Sequence, residues 1–158
     1  YHGKEVPEKI SDKELINKYL KQSLDETDFG LISGLRTLAE IGKIILNYKY
    51  DSLAAYQDEG LDVNHLLEKL DFSLDNNIPE DLFTRNILIK SNNEYSYNVS
   101  FYYSKIRDYI ICFHSYKLDK LSNDEFYNVL YDFYQNHIGK RALDFYIENA
   151  SSSHLRTL

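Results

Sequence analysis

The sequence predicts a mainly α-helical fold with one β-hairpin. Three observations carry this. Apolar residues recur at three- and four-residue spacing along most of the chain. Strict alternation occurs once, at Tyr95, Tyr97 and Val99 against Ser96, Asn98 and Ser100. Only 6 Gly and 2 Pro occur in 158 residues, too few for a loop-rich barrel or sandwich.

Residues 1–10 show no period and read as a leader. Ser11-Asp12-Lys13-Glu14 has the form of a capping box. Behind it Leu15, Ile16, Tyr19, Leu20 and Leu24 fall on one helical face, predicting a helix over 12–24. Thr27 or Asp28 caps the next helix, which runs to about Tyr48 with Leu31, Leu35, Leu38, Gly42 and Ile45 on its face. Its apolar arc is wide, placing it centrally. Tyr48-Lys49-Tyr50 reads as a short extended piece, and Asp51 caps a short helix over 52–57 that stops at Gly60. Asp62 caps a further helix, Val63–Leu70. Asp75-Asn76-Asn77 is a loop, and Pro79 opens another short helix whose positive end suits Glu80 and Asp81.

Ile87-Leu88-Ile89-Lys90 begins the hairpin and Ser91–Glu94 turns it. From Tyr102 to Tyr116 the spacing predicts a helix that buries Ile106, Tyr109, Ile110 and Phe113 and points Lys105 and Asp108 outward. Ser122-Asn123-Asp124-Glu125 is a second capping box, followed by a face of Phe126, Val129, Leu130 and Phe133. Ala142, Leu143, Tyr146 and Ile147 belong to a last helix, and the Ser151-Ser152-Ser153 tail frays. Of 23 aromatic residues, 13 lie between Phe101 and Tyr146, which assigns that region an aromatic core with a wet tyrosine rim.

An apolar share of 43% and a charged share of 27% exclude wholesale disorder. The sequence has no run that would span a membrane and no secretory signal. It contains no Met and opens on Tyr1, which reads as a domain cut from a longer polypeptide. The single Cys112 lies in an apolar stretch and reads as a buried small hydrophobe, in keeping with a reducing cytoplasm. No phosphate-binding loop occurs, since Gly42-Lys43-Ile44 and Gly139-Lys140-Arg141 lack the upstream glycine and the Ser/Thr. His2, His65, His114, His137 and His154 form no metal-ligand pair. His114 reads as a packed core histidine. Asp58, Glu59 and Asp62 around Gly60 miss the calcium-loop spacing. The sequons at Asn98 and Asn149 read as chance matches. No catalytic, cofactor-binding or metal-binding residue is assigned.

The net charge of −7 is concentrated. Residues 51–85 hold nine acids against Lys69 and Arg85, and the segments on either side are balanced. Such a block is a solvated face or a surface that repels phosphate backbones and suits a basic protein partner. Asp58, Glu59, Asp62 and Glu68 are its candidate interaction residues.

The order central helix, extended piece, short helix, turn, short helix, hairpin is that of a winged helix. The expected organisation is therefore an N-terminal leader and helix (1–33), a winged-helix-like core (34–101) and a C-terminal aromatic helical segment (102–158). The recognition-helix candidate is Asp62–Asp71, which has two Asp, one Glu and one Lys. Phosphate affinity rests on Lys and Arg, so this helix would meet DNA with repulsion.

Arg85-Asn86-Ile87-Leu88, Tyr95–Phe101 and the aromatic run Phe101-Tyr102-Tyr103-Ser104-Lys105-Ile106-Arg107-Asp108-Tyr109-Ile110 resemble a stretch of bacterial STAND and NACHT-like P-loop NTPases. The resemblance covers about residues 35–117. It implies a winged-helix module that follows a nucleotide-binding domain and leads into helical segments. The NTPase motifs themselves are absent, and no catalytic residue carries over. The function expected is a non-catalytic regulatory or protein-interaction module of a larger, STAND-type NTPase, with protein as partner and no nucleic acid, membrane or cofactor. The alternatives are a winged-helix DNA-binding regulator and a stand-alone protein of another activity. A mobility shift with generic duplex DNA at low salt separates the first two. The acidic block predicts no tight, salt-sensitive complex, and such a complex would reverse the preference.

Overall fold

The computed structural model describes residues 12–48, 60–70 and 77–149. Helix α1 spans Asp12–Asp25 and α2 spans Gly30–Asn47. A two-residue strand β1 (Leu61–Asp62) leads into α3 (Val63–Lys69), and a single turn α4 (Asp81–Thr84) precedes strands β2 (Leu88–Asn92) and β3 (Tyr97–Phe101). Helix α5 (Ser104–Ile110) continues without a break into a π-helical turn (Ile111–Ser115). A 3₁₀ turn, Leu118–Lys120, then leads to α6 (Asn123–Phe133) and α7 (His137–Asn149). The described chain is mainly helical, with one small antiparallel sheet. The expected leader, the helix over 52–57 and the serine tail lie outside the described residues.

The sheet has three strands, in the order β1-β3-β2. The predicted hairpin is there, with Leu88 opposite Phe101 and Lys90 opposite Val99. Of the expected extended piece at 48–50 only Tyr48 is among the described residues, and its backbone is extended. The sheet's third strand, which the sequence reading did not predict, is β1, with Leu61 opposite Val99. Gly60 makes this approach possible. It has φ +81°, and any Cβ there would strike the Val99 carbonyl. Among the described residues, β1 runs directly into α3, which holds most of the recognition-helix candidate Asp62–Asp71, and α4, the expected short helix behind Pro79, lies between it and the hairpin.

Helix starts follow local chemistry. The Thr27 hydroxyl accepts from the Gly30 amide at 3.2 Å and donates to the Leu24 carbonyl at 2.6 Å, joining the end of α1 to the start of α2. Ser122 and Glu125 form the predicted capping box on α6.

The largest departure from the sequence reading is α5 with its π-helical turn. Ile106, Tyr109, Ile110 and Phe113 are buried as expected, and Lys105 is exposed. Asp108 is not outward. It is 6% exposed and paired with Arg107, itself 4% exposed, at 3.1 Å. Ile111 and Cys112 are buried as well, so every residue from Ile106 to Phe113 is inside. By contrast α2 is one-sided: Leu38, Ile41 and Ile45 are buried while Ile32 is 76% exposed. The helix surrounded on all sides is therefore α5, because α2, α7 and α1 all pack against it. One hydrophobic cluster runs from Leu20 and Leu24 through Leu82 and Val99 to Tyr146, drawing on all three expected segments.

Phe113 packs against Phe145 and Tyr146 of α7, with ring centroids 6.4 and 5.7 Å away. Phe113→Ala is expected to cost about 3–5 kcal/mol, the usual range for an aromatic core truncation. Lys105 only reaches Asp12 across solvent at 2.8 Å, so Lys105→Ala should cost far less. Chemical denaturation of the two variants checks this; equal losses would mean that the buried face has been misassigned.

Candidate interaction surfaces

Of the four predicted interaction residues, Asp62 and Glu68 lie among the described residues. Asp58 and Glu59 lie outside the described residues. Glu68 is exposed on α3, beside exposed Lys69. Asp62 has a different task. One carboxylate oxygen accepts from the Asn64 amide at 2.9 Å, capping α3. The other accepts from Asn93 Nδ2 and Ser96 Oγ, each at 2.8 Å. Asn93 also donates to Asn98 Oδ1 at 2.8 Å, and its own Oδ1 accepts from the Ser96 amide at 2.7 Å. Asp62 thus latches the hairpin turn to the start of α3. The hydrogen bonds from Ser96 and Asn93 hold its carboxyl below the ordinary carboxylate value, against the opposing effect of burial.

Cations near α4 and the hairpin are committed to neighbours. Arg85 pairs with Glu26, just beyond the end of α1, at 2.8 Å. Lys90 pairs with Glu80 at 3.1 Å and lies over the rings of Phe83 and Tyr97, 4.6 and 5.0 Å from their centroids. Between α2 and α3 runs a groove of about 550 Å³ floored by Ile44. Lys43, Lys69 and Glu40 line it, and Tyr48 meets His65 edge-on within it at 5.1 Å. Its described lining is not acidic.

At the junction of α1 and the π-helical turn, the Tyr109 hydroxyl donates to Asn17 Oδ1 at 3.1 Å. It lies 3.3 Å from His114 Nε2, so the histidine is left to donate. Burial lowers the His114 pKa and favours the neutral ring. His114 is therefore half-buried and hydrogen-bonded, at the edge of the core. Cys112 donates to the Ala142 carbonyl at 3.1 Å, and burial pushes its thiol well up, away from thiolate chemistry. Among the described residues no three His, Cys, Asp or Glu side chains cluster as a metal site. No helix among them is long and apolar enough to cross a membrane.

The surface that the sequence reading did not single out lies on α6. Phe126, Leu130 and Phe133 are buried on one side. On the other side Tyr127, Tyr131 and Tyr134 are 65%, 71% and 53% exposed. Their spacing of four and then three residues makes a continuous stripe. The signal was present in the sequence, because these tyrosines fall opposite the phenylalanines, but aromatic enrichment there read as core and rim together. Asp124 and Asn128 share the exposed face, and α6 carries Asp124, Glu125 and Asp132 with no Lys or Arg.

No family model matches this chain, and neither a curated protein nor a solved structure matches it.

Asp62→Ala removes both a helix cap and the latch. A cost of about 1–2 kcal/mol is expected from the cap alone. Because the folded-state pKa of Asp62 is depressed, its stabilisation is fully present above the ordinary carboxylate value and is lost as pH falls through the folded value. The gap in stability between native chain and variant should therefore be constant from pH 7 to about 5 and narrow in stronger acid. Urea melts across that range test it; a gap that widens on acidification would assign the stabilisation to another group.

Proposed function

We propose that this chain is a non-catalytic regulatory and protein-interaction module with a winged-helix-like core, of the kind that STAND-type P-loop NTPases carry. In this reading α2, β1, α3, α4 and the β2-β3 hairpin make the core, with α4 in the slot of a recognition helix. The observation that carries the reading is the α6 tyrosine stripe. Three large rings stand in solvent on a helix whose other face is fully packed. Tyr is enriched where proteins meet, because its ring buries apolar area while its hydroxyl keeps a polar partner.

The charge pattern weighs against the DNA-binding alternative. In residues 77–100 the only cations are Arg85 and Lys90, and both are tied to carboxylates beside α4 and the hairpin. Docking on phosphates would require breaking these pairs next to Glu80 and Asp81.

The test is to place a photo-crosslinking p-benzoyl-phenylalanine at Tyr131 and irradiate cells that produce the chain. Discrete protein adducts are expected, and they should diminish when Tyr127 and Tyr134 are changed to Ser in the same chain. Nuclease-sensitive adducts, or none of any kind, would reject the interaction reading.

A further inference from the structure

We infer that the exposed face of α6 binds an extended, arginine-bearing protein segment, with guanidinium groups stacked on Tyr127 and Tyr131 and one of them paired with Asp124. This rests on the reading of the chain as an interaction module and names the chemistry of its partner.

Charge selects the sign of the partner. The three charged side chains of α6 are all acidic. Of these, Glu125 is turned back to the Ser122 amide in the capping box at 3.1 Å, and Asp132 lies near the Tyr116 hydroxyl at 3.4 Å. Asp124 sits in the first turn on the same face as the tyrosine stripe. A second copy of the chain is the wrong occupant, since pairing this face with itself would bring like charges together.

The rings select the type of cation. A carboxylate can pair with either Lys or Arg, with Arg able to bind it bidentately. An exposed tyrosine face adds stacking that the planar guanidinium exploits better than the compact, strongly hydrated ammonium. Among the described residues, no ring or cation of this chain covers Tyr127, Tyr131 or Tyr134. Rings elsewhere in the protein do hold a cation over their faces, as Phe83 and Tyr97 hold Lys90, which makes a Lys peptide the necessary comparison.

Spacing selects the conformation. Tyr127 and Tyr131 are four residues apart, about 6 Å along the helix axis. Alternate side chains of an extended strand are about 6.7 Å apart on one side. Arginines at every second position can therefore meet successive rings.

The experiment uses the whole chain and a fluorescein-labelled octapeptide of alternating Arg and Ser, with binding read by anisotropy at low salt. The alternating Lys and Ser peptide is the comparison. Saturable binding is expected, with amide shifts in heteronuclear NMR spectra concentrated on residues 123–135. Binding should weaken about tenfold in the Tyr127→Ala, Tyr131→Ala double variant, the size that two exposed cation–π contacts supply. It should be kept when the same two positions become Phe, which retains the rings. The Lys peptide should bind several-fold more weakly than the Arg peptide. These tyrosines are outside the core, and unchanged thermal unfolding of the variants confirms that folding is intact. Undiminished binding by the double Ala variant overturns the proposal, as do equal affinities for the two peptides. Concentration-dependent dimerisation that Tyr131→Ala abolishes also overturns it, in favour of a second copy. If the arginine peptide fails while crosslinking from Tyr131 still captures protein, the arginine assignment falls and the interaction reading stands.

Discussion

Eight consecutive residues, Ile106–Phe113, are buried, and the rest of the fold is arranged to surround them. A helical segment enclosed on every side, as Ile106–Phe113 is, cannot send its polar residues to water. Arg107 and Asp108 therefore stay inside as a close pair, whose opposite charges offset the cost of burying each. Enclosure also demands close approach. At Gly42 of α2, an added Cβ would meet Ser115 Oγ, Ile111 and Ile110, so glycine lets the two helices come together. The Ser115 hydroxyl then donates to the Ala39 carbonyl at 2.6 Å across the same contact. The π-helical turn suits this position. A wider turn shifts the angular register of the residues behind it, and here Ile111 faces α2 while Phe113 packs on the rings of α7.

The small sheet is attached to this centre by apolar side chains and closed at its far end by polar ones. Leu61, Leu88, Val99 and Phe101 are buried in the common cluster. At the hairpin turn, Asp62, Asn93, Ser96 and Asn98 form a connected hydrogen-bonded set. A three-stranded sheet with a two-residue edge strand has little stability of its own. The latch supplies the missing registration, because the residue that starts α3 also holds the turn of the hairpin. An acid that sequence composition places among interaction candidates is thereby spent on architecture.

The aromatic C-terminal half divides its labour by residue type. Phe126, Phe133 and Phe145 are buried with Tyr146, while Tyr127, Tyr131 and Tyr134 face solvent on the same helical hairpin. This division builds a rigid platform, since the exposed rings stand on a helix whose inner face is locked by packing. A platform of that kind presents contact area at small entropic cost to a partner. Near α4 and the hairpin, Arg85 and Lys90 are drawn into local pairs with Glu26 and Glu80, and α6 itself carries acids and exposed tyrosines with no Lys or Arg.

By itself the sequence determined the helical class, the position of the hairpin, the capping of α3 by Asp62 and of α6 by Ser122, and the buried character of Ile106, Tyr109, Ile110, Phe113 and Cys112. These features are set by neighbours a few residues away: a side chain reaching the next amides, or apolar groups repeating on one face. Only the tertiary structure decided that Asp108 turns inward, that Leu61–Asp62 supplies the third strand, that Asp62 holds Asn93 and Ser96, and that α5 rather than α2 is enclosed. Each of these depends on segments tens of residues apart meeting in space. Helical periodicity reports which face is apolar, whereas enclosure on every side depends on how many other elements arrive. Charge counts along the chain report a local excess of acid, whereas the field at the surface depends on which acids are already hydrogen-bonded and which cations they hold. The same limit hid the α6 stripe, since tyrosine suits both core and surface and only packing, of Phe126 on Tyr146 and of Phe133 on Tyr116, settled which aromatics of that helix were inside.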